Sequence, residues 1–273
     1  MNLQLIDCHA HINSEFYHDD WKDVLDEALA SGIWVINAGT NSKDSEENII
    51  IANQYQEGVY ASIGTHPTEK EEFNFIFFEK LTNNSKVVAI GECGLDYAIF
   101  AREHNETEKI EEAKNRQKNL FLNHIKLAKK VKKPLMLHIR EEEAYNDAIE
   151  ILEKENFSDS VIFHFYSGNL KQTEKILNKF NAFFTFGGVI TFAREYDERI
   201  NIIPLEKILL ETDSPFVAPV PYRGQKNKPV YILETAKKMA EIKNVSLEEI
   251  LKATIKNAKK VFSLNQLFYV FHN

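Results

Sequence analysis

Residues 3–13, LQLIDCHAHIN, contain the pattern that decides the fold, a short apolar run that ends in a His-x-His pair. The run at 3–8 is mostly apolar, as in a parallel strand that is covered on both faces. His9 and His11 lie two positions apart, and side chains alternate along a strand, so both imidazoles face the same way. The segment therefore predicts a first strand whose C-terminal end carries two candidate metal ligands.

Seven more short apolar runs follow, separated by longer amphipathic stretches. The stretch 119–133 has the helical period, with Leu120, His124 and Leu127 on one apolar stripe. Pro134 then ends the predicted helix. Repeated strand–helix alternation predicts an α/β fold of the (β/α)8 TIM-barrel type, with a doubly wound open sheet as the alternative. The seven further predicted strands are 33–38, 59–63, 87–90, 135–137, 161–163, 182–186 and 208–210.

The length of 273 residues fits one barrel, and no Pro/Gly-rich linker interrupts it, so we expect a single domain over 1–273. The longest polar connection, 96–109, is either a loop that reaches over the active site or an ordinary surface loop. The aromatic tail 266–273 is expected to pack on the barrel exterior or at an oligomer contact. Oligomeric state is open, with a monomer favoured.

The net charge of −8 argues against nucleic-acid binding through overall charge, although bound cations can supply positive charge at a phosphate site. Cys8 and Cys93 lie in apolar runs and are predicted to be buried, reduced thiols. The N-terminus lacks the pattern of a secretory signal, and no segment reaches the roughly 20 apolar residues of a membrane span. These features predict a cytoplasmic protein.

Imidazole or carboxylate side chains also follow five later strands, where the rim of a barrel meets water, metal and substrate. The candidate metal ligands are His9, His11, Glu92, His138, His164 and Asp213, and His66 lies at the same rim. This set exceeds the need of one tetrahedral ion. It would hold two divalent ions about 3.5–4 Å apart that share a bridging water, with Glu92 placed to bridge them. The mixed N and O donors suit Mg, Mn or Zn.

Nine short motifs occur in an order and spacing that point to one family. They are DCHAHI at 7–12, GTHP at 64–67, GECGLDY at 91–97, RQ at 116–117, PLMLHIR at 134–140, HFYSG at 164–168, GGVITF at 187–192, ETDSPFVAP at 211–219 and PYRGQKNKP at 221–229. In these motifs the chain resembles the TatD family of metal-dependent deoxyribonucleases, which are amidohydrolase-like barrels. It departs from the family at Thr68, where a second His often follows GxHP.

The resemblance implies hydrolysis of phosphodiester bonds in DNA, typically as a 3′–5′ exonuclease that prefers single strands. DNA is thus the expected partner, with two divalent metal ions as cofactors. The implied ligands of one ion are His9, His11, Glu92 and Asp213, and those of the other are Glu92, His138 and His164.

Several residues are assigned roles as hypotheses. Asp213 would take a proton from the bridging water as general base. His66 would orient the phosphate or protonate the leaving group, or else be structural. Glu211 and Asp96 are expected to orient ligand imidazoles. Arg223 is predicted to clamp a phosphate, with an ordinary surface-loop Arg as the alternative, and Arg140 is predicted to bind the substrate. Tyr97, Tyr166 and Phe192 would either stack on bases or pack at the barrel rim.

Two other functions remain open at this point. The same metal geometry serves hydrolases of a small amide, ester or lactone, or an aminoacyl-tRNA deacylase, because fold alone does not decide the substrate. Glu92 stands where many such relatives carry a modified Lys, which favours the nuclease. A catalytically inactive scaffold is the third hypothesis, and the complete ligand set argues against it.

Overall fold

The computed structural model describes residues 4–102 and 107–264. Within them, eight parallel strands form one sheet in sequential order, β1 to β8, which curls into a nearly closed barrel. This order confirms the predicted (β/α)8 barrel and excludes the doubly wound sheet. The strands are β1 Leu5–Ala10, β2 Ile33–Ala38, β3 Val59–Ile63, β4 Val87–Asp96, β5 Leu135–Arg140, β6 Val161–Phe163, β7 Ala182–Phe186 and β8 Ile208–Leu210.

Helices connect successive strands and cover the outside of the barrel. In the described part of the chain they are α1 Ser14–Tyr17, α2 Trp21–Ala30, α3 Ser42–Ala52, α4 Phe75–Leu81, α5 Ala98–Arg102, α6 Thr107–Val131, α7 Glu142–Lys154, α8 Leu170–Lys179, α9 Asp197–Ile202, α10 Ile232–Lys243 and α11 Leu247–Val261. None of the described helices is long and apolar enough to cross a membrane.

Four of the helix starts, those of α3, α4, α8 and α11, have side chains that satisfy free backbone N–H groups. Asn41 accepts a hydrogen bond from the backbone N–H of Asp44 at the start of α3 (2.9 Å). Asn169 and Gln172 form a reciprocal capping box at the start of α8. These two caps set where the chain turns into α3 and α8 at the mouth of the barrel.

Alternate strand residues divide the core into two layers. One layer fills the barrel interior and includes Ile6, Cys8 and Ile36, and the end of α11 contributes Val261 and Phe262 to it. The other layer lies between the strands and the surrounding helices. The α11 end therefore closes one end of the barrel, and the polar site lies at the other. Both cysteines are buried and unpaired, as predicted.

Three strand predictions were displaced or too short. The first strand runs Leu5–Ala10 instead of 3–8, the fourth continues to Asp96 and the fifth to Arg140. His9, Glu92 and His138 consequently lie inside strands and not after them. The strand register is irregular at His9 and at Glu92, and polar partners at the barrel mouth offset the cost of burying these side chains.

The connection predicted as a loop at 96–109 is largely helical. It contains Ala98–Arg102, and the next helix already begins at Thr107, twelve positions before the predicted start at 119. The aromatic tail 266–273 lies outside the described residues, so its predicted packing is untested.

The barrel closes where β1 meets the residues that follow β8. The backbone N–H of Asp213 donates to the carbonyl of His9 (2.9 Å), and that of His11 donates to Ser214 (2.7 Å). Ala10 and Ser214 form an isolated parallel bridge at the same place. These bonds hold Asp213 directly against the His-x-His pair.

A buried carboxyl group strengthens this closing contact between β1 and the residues after β8, which we call the seam. Asp7 is fully buried and accepts hydrogen bonds from the backbone N–H and the hydroxyl of Thr212 (2.8 and 2.5 Å). Burial raises the pKa of Asp7 to about 8, although the hydrogen bonds from Thr212 oppose this shift. This pair was not predicted from the sequence.

His124 is a core residue, as its helical stripe predicts. The fully buried ring donates from Nδ1 to the carbonyl of Leu120 (2.9 Å) and accepts at Nε2 from the N–H of Thr65 (2.9 Å). It thereby fixes the backbone just before His66. Burial lowers the pKa of His124 to about 4, so the ring is neutral in the folded state.

We expect His124→Gln to flatten the dependence of stability on pH. As pH falls from about 6.5 to 4, the unfolded chain binds a proton at His124 that the folded protein does not. The free energy of unfolding of the wild type should therefore fall by roughly 2 kcal/mol more than that of the variant between pH 7 and 4.5. Urea unfolding of metal-free protein at both pH values measures this. His18→Gln, at an exposed site, is the control. An equal change in unfolding free energy between the two pH values for all three proteins would contradict the prediction.

Candidate metal centre

Two imidazoles and two carboxylates converge on one point above β1. His9 Nε2 and His11 Nε2 are 3.1 Å apart. Asp213 Oδ1 lies 3.4 Å from His11 Nε2, and Glu92 Oε2 lies 3.4 Å from His9 Nε2. All four side chains are buried or nearly so. The structure thus brings together the four side chains that the resemblance assigns to one ion.

A second group lies around the other oxygen of Glu92. Its Oε1 is 2.7 Å from His138 Nδ1 and 3.5 Å from His164 Nε2. The rings of His9 and His164 stack at 3.6 Å between centroids, which places the two groups side by side. Glu92 thus faces one group with each oxygen, the position from which a carboxylate can bridge two ions.

Two glycines allow β4 to bring Glu92 to this position. Gly91 and Gly94 both have positive φ, and a Cβ on either would collide with the backbone of β5, at Met136 and His138 respectively. Only glycine adopts such conformations freely and permits this approach. The glycines of GECGLDY therefore set the short distance between Glu92 and His138.

His164 is held by a buried carboxyl group, as predicted for Glu211. Its Nδ1 donates to Glu211 Oε2 (2.9 Å), which leaves Nε2 free to face Glu92. Glu211 also accepts from the hydroxyl of Thr185 (2.5 Å) and the backbone N–H of Phe165 (2.9 Å). The ring orientation is thus determined before any ion binds.

Asp96 plays the corresponding part for His138. Its Oδ2 lies 3.2 Å from His138 Nε2, so Nδ1 faces Glu92. The side-chain amide of the buried Gln117 pairs with the backbone N–H and carbonyl of Asp96 (2.8 and 3.0 Å). This explains the Gln of the RQ motif, which sequence reasoning left without a role.

The donor chemistry fits divalent cations. His11 Nδ1 faces the carbonyl of Ala38 (3.2 Å), which can only accept, so the neutral ring presents a lone pair at Nε2. That lone pair points toward His9 and two carboxylates, an arrangement that needs positive charge between them. Burial alone would lower the pKa of His11, but Asp213 and Glu92 raise it to about 9. A bound cation would take the place of that proton.

Glu92 is anionic in this environment. Burial alone would raise its pKa, but His9 and the hydrogen bond from His138 hold the pKa well below its ordinary value. The group therefore has the protonation state that ion binding requires.

His66 lies closer to the ligands than the sequence predicted. One potential metal-ligand atom from each of His66, Asp96 and His138 lies within 4.8 Å of the other two. The Nε2 of His66 is 3.7 Å from Glu92 Oε1. The backbone N–H of Thr68 donates to His66 Nδ1 (3.3 Å), and the Thr68 hydroxyl is 2.6 Å from the same nitrogen. Burial and the neighbouring His138 lower the pKa of His66 to about 3, so the ring is neutral. Because Nδ1 accepts from the backbone N–H of Thr68, the proton is on Nε2.

A cavity of about 290 Å³ opens above these groups. It is lined by His11, Glu15, Phe16, Thr40, Asn41, His66, Glu69, Glu92, His138, Arg140, His164, Asp213 and Phe216. The chemistry available there is metal-assisted hydrolysis, with Arg140 as its one lining side chain of permanent positive charge among the described residues.

Comparison with known proteins agrees with this geometry. The family described as TatD related DNase matches residues 6–263. The chain belongs to the TatD-related DNase family. It is 35% identical over 269 residues to the uncharacterized metal-dependent hydrolase YabD of Bacillus subtilis, covering 96% of this chain and 100% of YabD. This places it among the metal-dependent hydrolases of the TatD family.

Two Escherichia coli TatD relatives extend the comparison. The uncharacterized metal-dependent hydrolase YcfH is 30% identical over 268 residues, which cover 96% of each chain. The crystal structure of the TatD homolog YjjV superposes with a TM-score of 0.83 at 26% identity, covering 96% of this chain and 99% of YjjV. The whole barrel, and not only its site, is therefore shared with solved TatD structures.

Of the two alternatives for the aromatic side chains, stacking on bases or packing, the structure shows packing for Tyr97 and Tyr166. Tyr166 is fully buried, and its hydroxyl is bonded to Thr173 (2.8 Å). Tyr97 is nearly buried, and its hydroxyl donates to Asp147 (2.8 Å). Neither ring can stack on a base, because both pack between strand and helix.

Arg223 does not line the cavity in the described structure. It is exposed, with its guanidinium 4.0 Å above the ring of Phe192, which is itself 40% exposed. Its predicted contact with phosphate stays a prediction. Arg140 is better placed, and the sequence analysis missed Phe16 and Phe216, although Phe216 is only three positions after Asp213 in ETDSPFVAP.

We predict that Asp96→Asn weakens divalent metal binding by about 10- to 100-fold, because the ring of His138 loses its anionic partner. Titration of Mn²⁺ against a competing chelator dye measures this affinity, with circular dichroism as a check on folding. Asp19→Asn, at an exposed site, is the matched control. Equal metal affinity in the two variants would show that Asp96 does not contribute to metal binding.

Proposed function

We propose that this protein is a metal-dependent deoxyribonuclease that hydrolyses phosphodiester bonds, acting as a 3′–5′ exonuclease on single-stranded DNA. The observation that carries the proposal is Glu92, whose two oxygens each face a separate group of imidazoles. This arrangement suits two ions, which when bound would lower the pKa of a water between them and neutralise charge on the phosphate. The family description, TatD related DNase, supports DNA as the substrate.

Arg140 favours a phosphate over a neutral amide or lactone. Its guanidinium reaches the cavity, lies 4.7 Å from the centroid of the Phe165 ring and donates to the carbonyl of Phe165 (3.1 Å). These contacts use few of its five donors, so others remain for phosphate oxygens. Its fixed position would select a diester whose non-bridging oxygens point toward β5.

Asp213 is the proposed general base. Its backbone is fixed by the closing hydrogen bond to His9, and Oδ1 lies within 3.8 Å of both His9 and His11. Burial would raise its pKa, but the hydrogen bond with His11 and the neighbouring imidazoles lower it, so the carboxylate is ionised and can accept a proton. It lies at the cavity wall, where a water would be positioned.

His66 is the proposed donor to the phosphate or the leaving oxygen. The backbone N–H of Thr68 donates to Nδ1 of His66, so the neutral ring carries its proton on Nε2. His66 lines the cavity. The Thr68 side chain, at the position where relatives often carry His, thus contacts His66 and supports its orientation.

The direct test is a nuclease assay on purified protein with Mn²⁺ or Mg²⁺. We expect single-stranded DNA labelled at its 5′ end to be shortened stepwise, and both EDTA and Glu92→Ala to abolish the activity because the ions lose their shared ligand. Asp19→Asn should cleave like the wild type. Intact DNA with metal bound to the wild type would overturn the proposed function, and internal cleavage would overturn its exonuclease form.

We predict that Thr68→Val lowers kcat about 3- to 10-fold, the effect of losing one side-chain hydrogen bond that orients His66. Thr68→Ser should restore the wild-type rate. In a His66→Ala background, Thr68→Val should have no further effect, because the two residues act as one unit. Additive losses in the double variant would show that Thr68 acts independently of His66.

A further inference from the structure

Two phenylalanine rings form part of the cavity wall beside the metal ligands. Phe16 and Phe216 meet edge to face with centroids 5.3 Å apart. Each also lies near the ring of His11, at 5.9 and 6.0 Å between centroids. Phe216 is 43% exposed although it borders a polar site. Large exposed aromatic rings at such a place mark a contact with a ligand.

The backbones that carry these rings are held firmly. The backbone N–H of Phe216 donates to the carbonyl of Asp213 (2.8 Å). The backbone carbonyl of Phe216 accepts from the buried side-chain amide of Asn227 (2.7 Å). The N–H of Phe16 donates to the side chain of Asn13 (3.3 Å). Exposure of the Phe216 ring is therefore a fixed feature of its loop.

Charge divides the cavity into two sides. Phe216 follows β8 and Phe16 follows β1, whereas Arg140 ends β5, which is diametrically opposite β1 in an eight-stranded barrel of sequential order. The carboxylates of Glu15 and Glu69 line the cavity on the side of β1 to β3. Among the described side chains that line the cavity, the one permanent cation, Arg140, therefore lies opposite the aromatic pair, while Lys226 bonds to the backbone carbonyl of Phe16 outside the lining. A phosphate held by Arg140 leaves the two aromatic rings free to contact an uncharged part of the substrate.

We propose that Phe16 and Phe216 form a stacking site for the nucleobase of the terminal nucleotide that the enzyme removes. This inference rests on the proposed function and deepens it, since it assigns the orientation of the substrate in the cavity. Stacking is tolerant of base identity because every base has a π face. The site would accordingly distinguish a nucleotide with a base from one without, and not one base from another.

A binding experiment tests this without requiring cleavage. A single-stranded oligonucleotide with 2-aminopurine at its 3′ terminus is titrated with protein, with Ca²⁺ in place of Mg²⁺ or Mn²⁺. We expect stacking on the wild type to quench the fluorescence, and Phe216→Ala to remove the quench and weaken binding about 5- to 100-fold. Phe216→Tyr should behave like the wild type, since it keeps the ring. Ile76→Ala, at a distant exposed apolar site, is the control.

A cleavage experiment with Mn²⁺ provides the second measurement. Wild type should remove a normal 3′-terminal nucleotide faster than a terminal tetrahydrofuran abasic residue, and Phe216→Ala should bring the two rates together by slowing only the normal one. Equal wild-type rates on both substrates, or equal quenching by wild type and Phe216→Ala, would overturn the stacking site.

The outcomes separate this proposal from the nuclease itself. Quenching that depends on Phe216, without any cleavage, would support the stacking site and reject the nuclease. Cleavage with no dependence on the terminal base would support the nuclease and reject the stacking site. DNA that is neither bound nor cleaved would reject both.

Discussion

The closure of the barrel between β1 and the residues after β8 is the constraint on which the site depends. The backbone bonds from Asp213 to His9 and from His11 to Ser214 place a carboxylate from one end of the sheet against two imidazoles from the other. A shift of the seam by one residue would turn His9 and His11 to the opposite face. The buried contact between Asp7 and Thr212 opposes such a shift, because Asp7 would lose its two donors.

Buried charge is the second organising element. Glu92 is an anion in the barrel mouth, and such a group is costly unless it is paired. Its surrounding imidazoles are themselves fixed by partners outside the group, such as Glu211 for His164 and Asp96 for His138. The site is consequently rigid in the protein alone, and bound ions would find their ligands already oriented.

The sequence predicted the barrel, and it predicted that the candidate ligands lie close together, because both follow from periodicity and from where a strand ends. It misjudged contacts that depend on which way a side chain turns after the strand. Tyr166 follows His164 by two positions but turns into the layer between strands and helices, whereas Phe216 turns to the cavity. Thr68 looked like a lost substrate contact, and only three-dimensional proximity shows it bonded to His66. Strand alternation gives no rule for such loops.

The seam also has a consequence for how the protein is made. Asp7 and Thr212 are 205 positions apart in the chain, and Asp213 follows directly. During translation, at about 5–20 residues per second, the group of His9, His11 and Asp213 is incomplete until most of the barrel has left the ribosome. A truncated nascent chain would carry the His-x-His pair without its carboxylate partner. Hydrolytic activity would thus be confined to chains that have been synthesised past Asp213.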